Sequence, residues 1–171
     1  MKKLLFSMAT IISLSSINLS AANMTANFAD PNTWNGEIVP LDAVCSDYNM
    51  EAGSTPEIVL RNIPKGAQDI ILTYTDETFK GMRNGGHGII AYTLEEDTYK
   101  VIVPTVQGET FDLPENFTSV VQHRGTKYGK KQGAYLAPCS GGKGNKYSVL
   151  IQAVDKKSNE LDRVTLTLGY Y

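Results

Sequence analysis

Acid–base or anion-binding chemistry in this chain would rest on very few side chains. There are two histidines, His87 and His123, and two cysteines, Cys45 and Cys139. His87 stands in "NGGHGIIAYT" (84–93), where a glycine-rich turn runs into a short apolar run. A protonated histidine donates from both ring nitrogens, and a neighbouring carboxylate orients the ring and raises its pKa from about 6.5. Such a residue at the start of a strand can form one wall of a small anion pocket, although taken alone it is more often structural. His123, beside Arg124, fits no motif and is expected on the surface. The cysteines and histidines lack the close C-x₂₋₄-C and H-x₃₋₅-H spacing of a structural zinc site, so no metal is expected. Neither G-x-S-x-G nor H-E-x-x-H occurs, and His87 with a carboxylate is only half of an acid–base device. No catalytic residue and no cofactor are assigned.

The first residues, "MKKLLFSMATIISLSSINLSAAN", have the form of a cleaved leader. Lys2 and Lys3 make a positive start, Leu4 to Leu19 a short apolar stretch, and Ser20 and Ala22 a small-x-small cleavage site. The organisation expected is a signal peptide over 1–22 and one domain over 23–171. Later stretches fall short of the ~20 apolar residues that a spanning helix needs. Export to a bacterial periplasm or to the medium follows, and there the two cysteines are expected to form a single disulfide. Cleavage after Ala22 removes two lysines and no acid, which takes the formal charge from −2 to −4. Mild acidity excludes a general nucleic-acid partner, which needs a concentrated basic face. "KYGKK" (127–131) is the densest basic run and reads as a solvated loop. "NFT" at Asn116 fits a glycosylation sequon, but the leader looks bacterial and the match is read as accidental.

The elements that must position His87 read as strands. Apolar residues come in short runs bounded by turn formers: 57–63, 69–75, 88–94, 98–105, 146–155 and 163–171. No 12-residue window has a convincing 3.6-residue period, so helix is limited to short turns. The stretch 105–146, rich in glycine, proline and aromatics, reads as long loops, where function is commonly carried. The fold class is mainly β.

In this order the motifs resemble those of the phosphatidylethanolamine-binding protein family, in its bacterial Raf-kinase-inhibitor-like branch. "STPEIVLRNIPKGAQDIILTYTDET" followed by "GGHGIIAYTL" is similar to the family's opening, where S-P-P-L-x-W leads through V-P-x-G and D-P-D to a strand starting H-W. "GTKYGKKQGAYLAPCSGGKGNKYSVLIQAVD" resembles its later run of N-D-[FY]-G, G-Y-x-G-P-C-P-P, G-x-x-H-R-Y and A-L-D, and "LTLGYY" its closing strand. The likeness spans most of residues 40–171. It implies a single-domain β-sandwich of Greek-key type with long loops and little helix. The family's anion pocket then falls on Asp76, His87, the Ala137–Pro138 bend, Asn145 and Tyr147. The disulfide gains support as well, since Cys45 and Cys139 both have counterparts in exported relatives.

Departures from the family pattern matter. Glu77 and Thr78 replace the proline and second acid after Asp76, Asn145 stands where a second histidine is usual, and Lys146 where arginine is usual. One histidine gives the pocket less positive charge. The segment between "AVD" and the last strand is too short for the helix usual there. The resemblance implies an exported binding protein for a small anionic molecule or phospholipid head group. In that reading Asp76 raises the His87 pKa, anion affinity increases in acid, and the glycines of "SGGKGN" add backbone N–H donors. The alternative is an inhibitor or regulatory partner of another protein, and family members often pair, so a homodimer is among the expected states. A hydrolytic enzyme has least support.

Overall fold

The computed structural model of the protein describes residues 23–171. The leader expected over 1–22 lies outside the described residues. Eight strands follow one another: β1 (Thr25–Phe28), β2 (Ile58–Arg61), β3 (Asp69–Asp76), β4 (Ile89–Thr93), β5 (Lys100–Val103), β6 (Phe117–Val121), β7 (Lys146–Val154) and β8 (Glu160–Tyr170). They form two antiparallel sheets, a three-stranded one in the order β1-β2-β5 and a five-stranded one in the order β6-β4-β3-β7-β8. The described helix is confined to 3₁₀ turns at Leu41–Ala43, Lys80–Met82 and Arg124–Tyr128.

Strand β3 shows why the chain folds this way. Its β-branched and aromatic residues suit a pleated, half-buried surface, and alternate side chains point to opposite faces. Ile70, Leu72, Tyr74 and Asp76 are buried, and the residues between them are half-buried on the other face. Antiparallel pairing with β7 sets Ile70 opposite Ala153, Leu72 opposite Ile151, Tyr74 opposite Val149 and Asp76 opposite Tyr147. The buried row is therefore apolar along most of its length and turns polar at one end. Ile58 and Leu60 of β2 and Val103 of β5 join the same buried cluster from the smaller sheet.

Two strands fall outside the sequence reading. β6 lies inside the stretch 105–146 read as loops; it pairs only with β4 at the sheet edge and has no buried residue. β1 is another edge strand and lies ahead of the first predicted run. Edge strands bury little, so the alternation that identifies a strand fades there. Between β7 and β8 the chain reverses through Asp155–Asn159, where Asp155 Oδ1 accepts from the N–H groups of Lys157 and Asn159 at 2.8 Å each. No helix occupies this connection.

Cys45 and Cys139 are joined in a disulfide that spans 94 residues of sequence. The Cys45 N–H also donates to the Pro138 carbonyl at 3.0 Å. Together they fasten the segment before β7 to the long N-terminal connection. No described helix is long and apolar enough to cross a membrane.

Candidate functional site

Where the buried row of β3 and β7 turns polar, a cleft of about 430 Å³ opens. Asp76, His87, Asn145 and Tyr147 all line it, together with residues of the Lys80–Met82 and Arg124–Tyr128 turns. Asp76 and Tyr147 arrive as cross-strand partners on the inner face. His87 arrives differently. It lies two residues before Ile89, and plain alternation would turn it to the outer face that Ile89 shares with Thr73 and Thr75. Gly88 intervenes with a φ of +113°, a conformation other residues rarely adopt. A Cβ on Gly88 would lie 2.1 Å from the Ala134 carbonyl oxygen. The bare glycine thus lets the 134–136 segment lie against the strand start. The Leu136 N–H then donates to the His87 carbonyl at 2.9 Å, and the Leu136 carbonyl accepts from His87 Nδ1 at 2.7 Å.

That last contact fixes the tautomer. A carbonyl oxygen only accepts, so Nδ1 carries the proton and Nε2 of the neutral ring presents a lone pair. His87 is buried, and its ring meets that of Tyr147 edge-on at 5.3 Å. Burial pushes its pKa down from 6.5 to about 4, against the opposing pulls of the Leu136 carbonyl and Asp76. The upward shift expected from Asp76 is therefore overturned: desolvation of the imidazolium outweighs the attraction of the carboxylate. His87 stays neutral near pH 7.

Asp76 is heavily committed to the fold. Its Oδ1 accepts from the N–H groups of Thr78 and Phe79 at 2.8 Å each, and its Oδ2 accepts from Asn145 Nδ2 at 2.6 Å. Asn145 thereby commits one of its two Nδ2 hydrogens to Asp76, and its Oδ1 has no protein donor among the described residues. The Tyr147 hydroxyl accepts from the Cys139 N–H at 3.3 Å, and burial pushes the phenol pKa up to about 12. It remains a neutral donor.

Other predicted positions lie elsewhere. Ala137 is fully buried in the core, and Pro138 lines a small void behind His87 and Tyr147; neither lines the cleft. Nor do the glycines of "SGGKGN", although Ser140 and Lys143 of that loop do. His123, expected on the surface, is buried: its Nδ1 accepts from the Gly125 N–H at 3.1 Å and caps the Arg124–Tyr128 turn. The reason is packing. Gly125 sits so tightly that an added Cβ would meet Leu136 Cδ2 at 2.5 Å and His123 Nδ1 at 3.0 Å.

Sequence reasoning missed the walls of the cleft. Phe79 and Tyr128 meet edge-on at 5.2 Å, and Tyr48 stands against Tyr171 at 6.1 Å. Phe79, Tyr128 and Tyr48 are each about half exposed, at 45, 47 and 51%. Lys143 is exposed at the mouth, and Lys130, also on the lining, pairs with Asp47. The available signal was the density of aromatic and basic residues in 127–131, which had read as a solvated loop.

No protein-family model matches this chain. No curated protein matches it either.

Proposed function

We propose that the protein is an exported binding protein whose cleft holds a small molecule carrying an anionic group, in the manner of the phosphatidylethanolamine-binding proteins that its motifs resemble. The observation that carries this reading is the convergence of Asp76, His87, Asn145 and Tyr147, from separated parts of the sequence, on one cleft with lysines at its mouth. Its volume falls in the range of about 300–1,000 Å³ usual for small-molecule sites, and aromatic walls with a few polar groups are the usual lining. Export is supported by the form of the leader and by the Cys45–Cys139 disulfide, a bond that persists in oxidising compartments. The anionic group belongs at Lys143 and Lys130, because neutral His87 offers no charge to an anion deeper in.

Native mass spectrometry of protein purified from the exported fraction tests the reading. The expected spectrum contains a copurified small molecule, diminished in Tyr128→Ala and Lys143→Ala. A ligand-free mass, together with no thermal shift from a panel of small phosphates and carboxylates, would refute it.

A further inference from the structure

The two sulfurs of the Cys45–Cys139 bond stand in different surroundings. Cys45 has none of its surface exposed, whereas Cys139 is part-buried and lines the cleft beside Tyr48 and Ser140. The chain around each differs in the same sense. After Cys45, its carbonyl accepts from the Tyr48 N–H at 3.0 Å, and Ser46 donates to Glu109 from its N–H at 2.9 Å and its hydroxyl at 2.5 Å. At Cys139, the N–H reaches the Tyr147 hydroxyl at 3.3 Å, and the Ser140 hydroxyl donates to the Tyr171 carbonyl. The exposed, glycine-rich loop 141–144 follows directly. One sulfur is thus fixed in the core, and the other stands at the wall of the cleft.

Thiol–disulfide exchange begins with a thiolate attacking one sulfur while the other leaves as a thiolate. Two factors compete over which sulfur is attacked. Burial raises a thiol's pKa, so Cys45 is the poorer leaving group and on that ground the better target. Access acts the other way, because a sulfur without exposed surface offers a nucleophile no approach in the folded protein. Access decides, since a poor leaving group only slows the reaction whereas a closed core excludes the reagent. We infer that Cys139 is a modification site for small thiols that enter through the cleft. The thiolate forms a new S–S bond to Cys139 Sγ, and the bond to Cys45 breaks. Cys45 Sγ takes the electron pair and the proton that the thiol gave up. A second thiol then attacks the added sulfur and departs with it as a disulfide, so two electrons pass to the protein and both cysteines end as thiols. The latch between the cleft wall and the N-terminal connection is therefore opened from inside the cleft, by a reagent small enough to enter. Tyr48 sets the size limit. It is half exposed on the lining, and its ring packs so close to the loop that a Cβ on Gly141 would meet its hydroxyl at 2.7 Å.

Peptide mass spectrometry tests this on the oxidised mature protein, incubated at pH 8 with mercaptoethanol or glutathione, quenched in acid and alkylated in urea. Dividing each rate by that of the urea-unfolded chain removes the intrinsic reactivity of the thiol. The adduct is expected on Cys139 in about ten-fold excess over Cys45, at a rate that rises in proportion to thiol concentration. Mercaptoethanol is expected to react faster than the larger glutathione in the folded protein. Tyr48→Ala, a change at a half-exposed side chain, is expected to reduce that size preference about three-fold. An adduct shared evenly by the two cysteines, at a rate that stops rising with thiol concentration, would mean that the bond is reached only by unfolding and would overturn the proposal. So would an adduct chiefly on Cys45, or no reaction short of unfolding. A size preference untouched by Tyr48→Ala would overturn the route through the cleft.

Discussion

The floor and the wall of the cleft are built by different physics. The floor belongs to the ends of β3 and β7, where Asp76 faces Tyr147 across a continuous antiparallel ladder. The wall belongs to the turns at 80–82 and 124–128 and to the 134–140 segment, which have no sheet to hold them. Small devices hold it instead: the His123 cap on Gly125, the Lys130–Asp47 ion pair, the Asp76 carboxylate on the Phe79 N–H, and the Cys45–Cys139 bond. A ladder is redundant and survives the loss of one contact. A wall assembled from single contacts does not, so the two regions should respond differently to the same perturbations.

The largest difference is expected on removing the disulfide. Closing a loop of 94 residues is worth roughly 4–5 kcal/mol on chain-entropy grounds. Cys45→Ser with Cys139→Ser should lower the melting temperature by about 10–15 °C in a domain of this size. Hydrogen exchange should accelerate first at 134–140, with the β3–β7 ladder opening only with the whole domain. Equal acceleration in both would show that wall and floor are one cooperative unit.

Asp76→Ala comes next. It strips acceptors from the Thr78 and Phe79 N–H groups and from the Asn145 amide, and unsatisfied buried donors cost about 1–3 kcal/mol each. A loss of about 3 kcal/mol in urea unfolding is expected, since water reaches some of these groups through the cleft. A loss below about 1 kcal/mol would mean that the carboxylate is not the joint between floor and wall.

Acid should act on the floor through His87. Above pH 6.5 the ring is neutral in both folded and unfolded chains and contributes no pH dependence. As pH falls from 6.5 towards 4, the unfolded chain takes up the proton first, so stability is lost across that window. A shift of this size corresponds to about 3 kcal/mol. His123 is shifted in the same direction by burial, so the part assigned to His87 is what disappears in His87→Gln. An identical acid profile in wild type and His87→Gln would contradict the assignment.

The smallest of these effects concerns the wall alone. His123→Ala removes a cap worth about 0.5–2 kcal/mol and should raise exchange at 124–128 while leaving Asp76 and His87 in place. A change in the floor instead would make His123 part of the site.

The same division explains what the sequence disclosed. Strict alternation in "DIILTYTD" puts Asp76 on the face of Ile70, Leu72 and Tyr74, and "KYSVLIQAV" puts Tyr147 on the face of Val149 and Ile151, so their convergence was readable. His87 was placed correctly at a strand start, but its inward turn depends on the φ of Gly88, which no periodicity reveals. Its charge state was misread because burial is a property of the assembled fold. The family resemblance supplied the Asp76 carboxylate, while the 134–136 segment that packs against the ring lies far along the chain. His123 was misread for the same reason. The 124–130 wall has no alternation, and its location depends on contacts that are distant in sequence.

Nitrogen-15 NMR of the His87 ring through a pH titration tests this account at its root. A neutral ring protonated at Nδ1, with shifts constant from pH 8 to pH 5, is the predicted result. A ring that titrates with a midpoint at or above 6.5, or that carries its proton on Nε2, would contradict it and return the floor of the cleft to a site for anions.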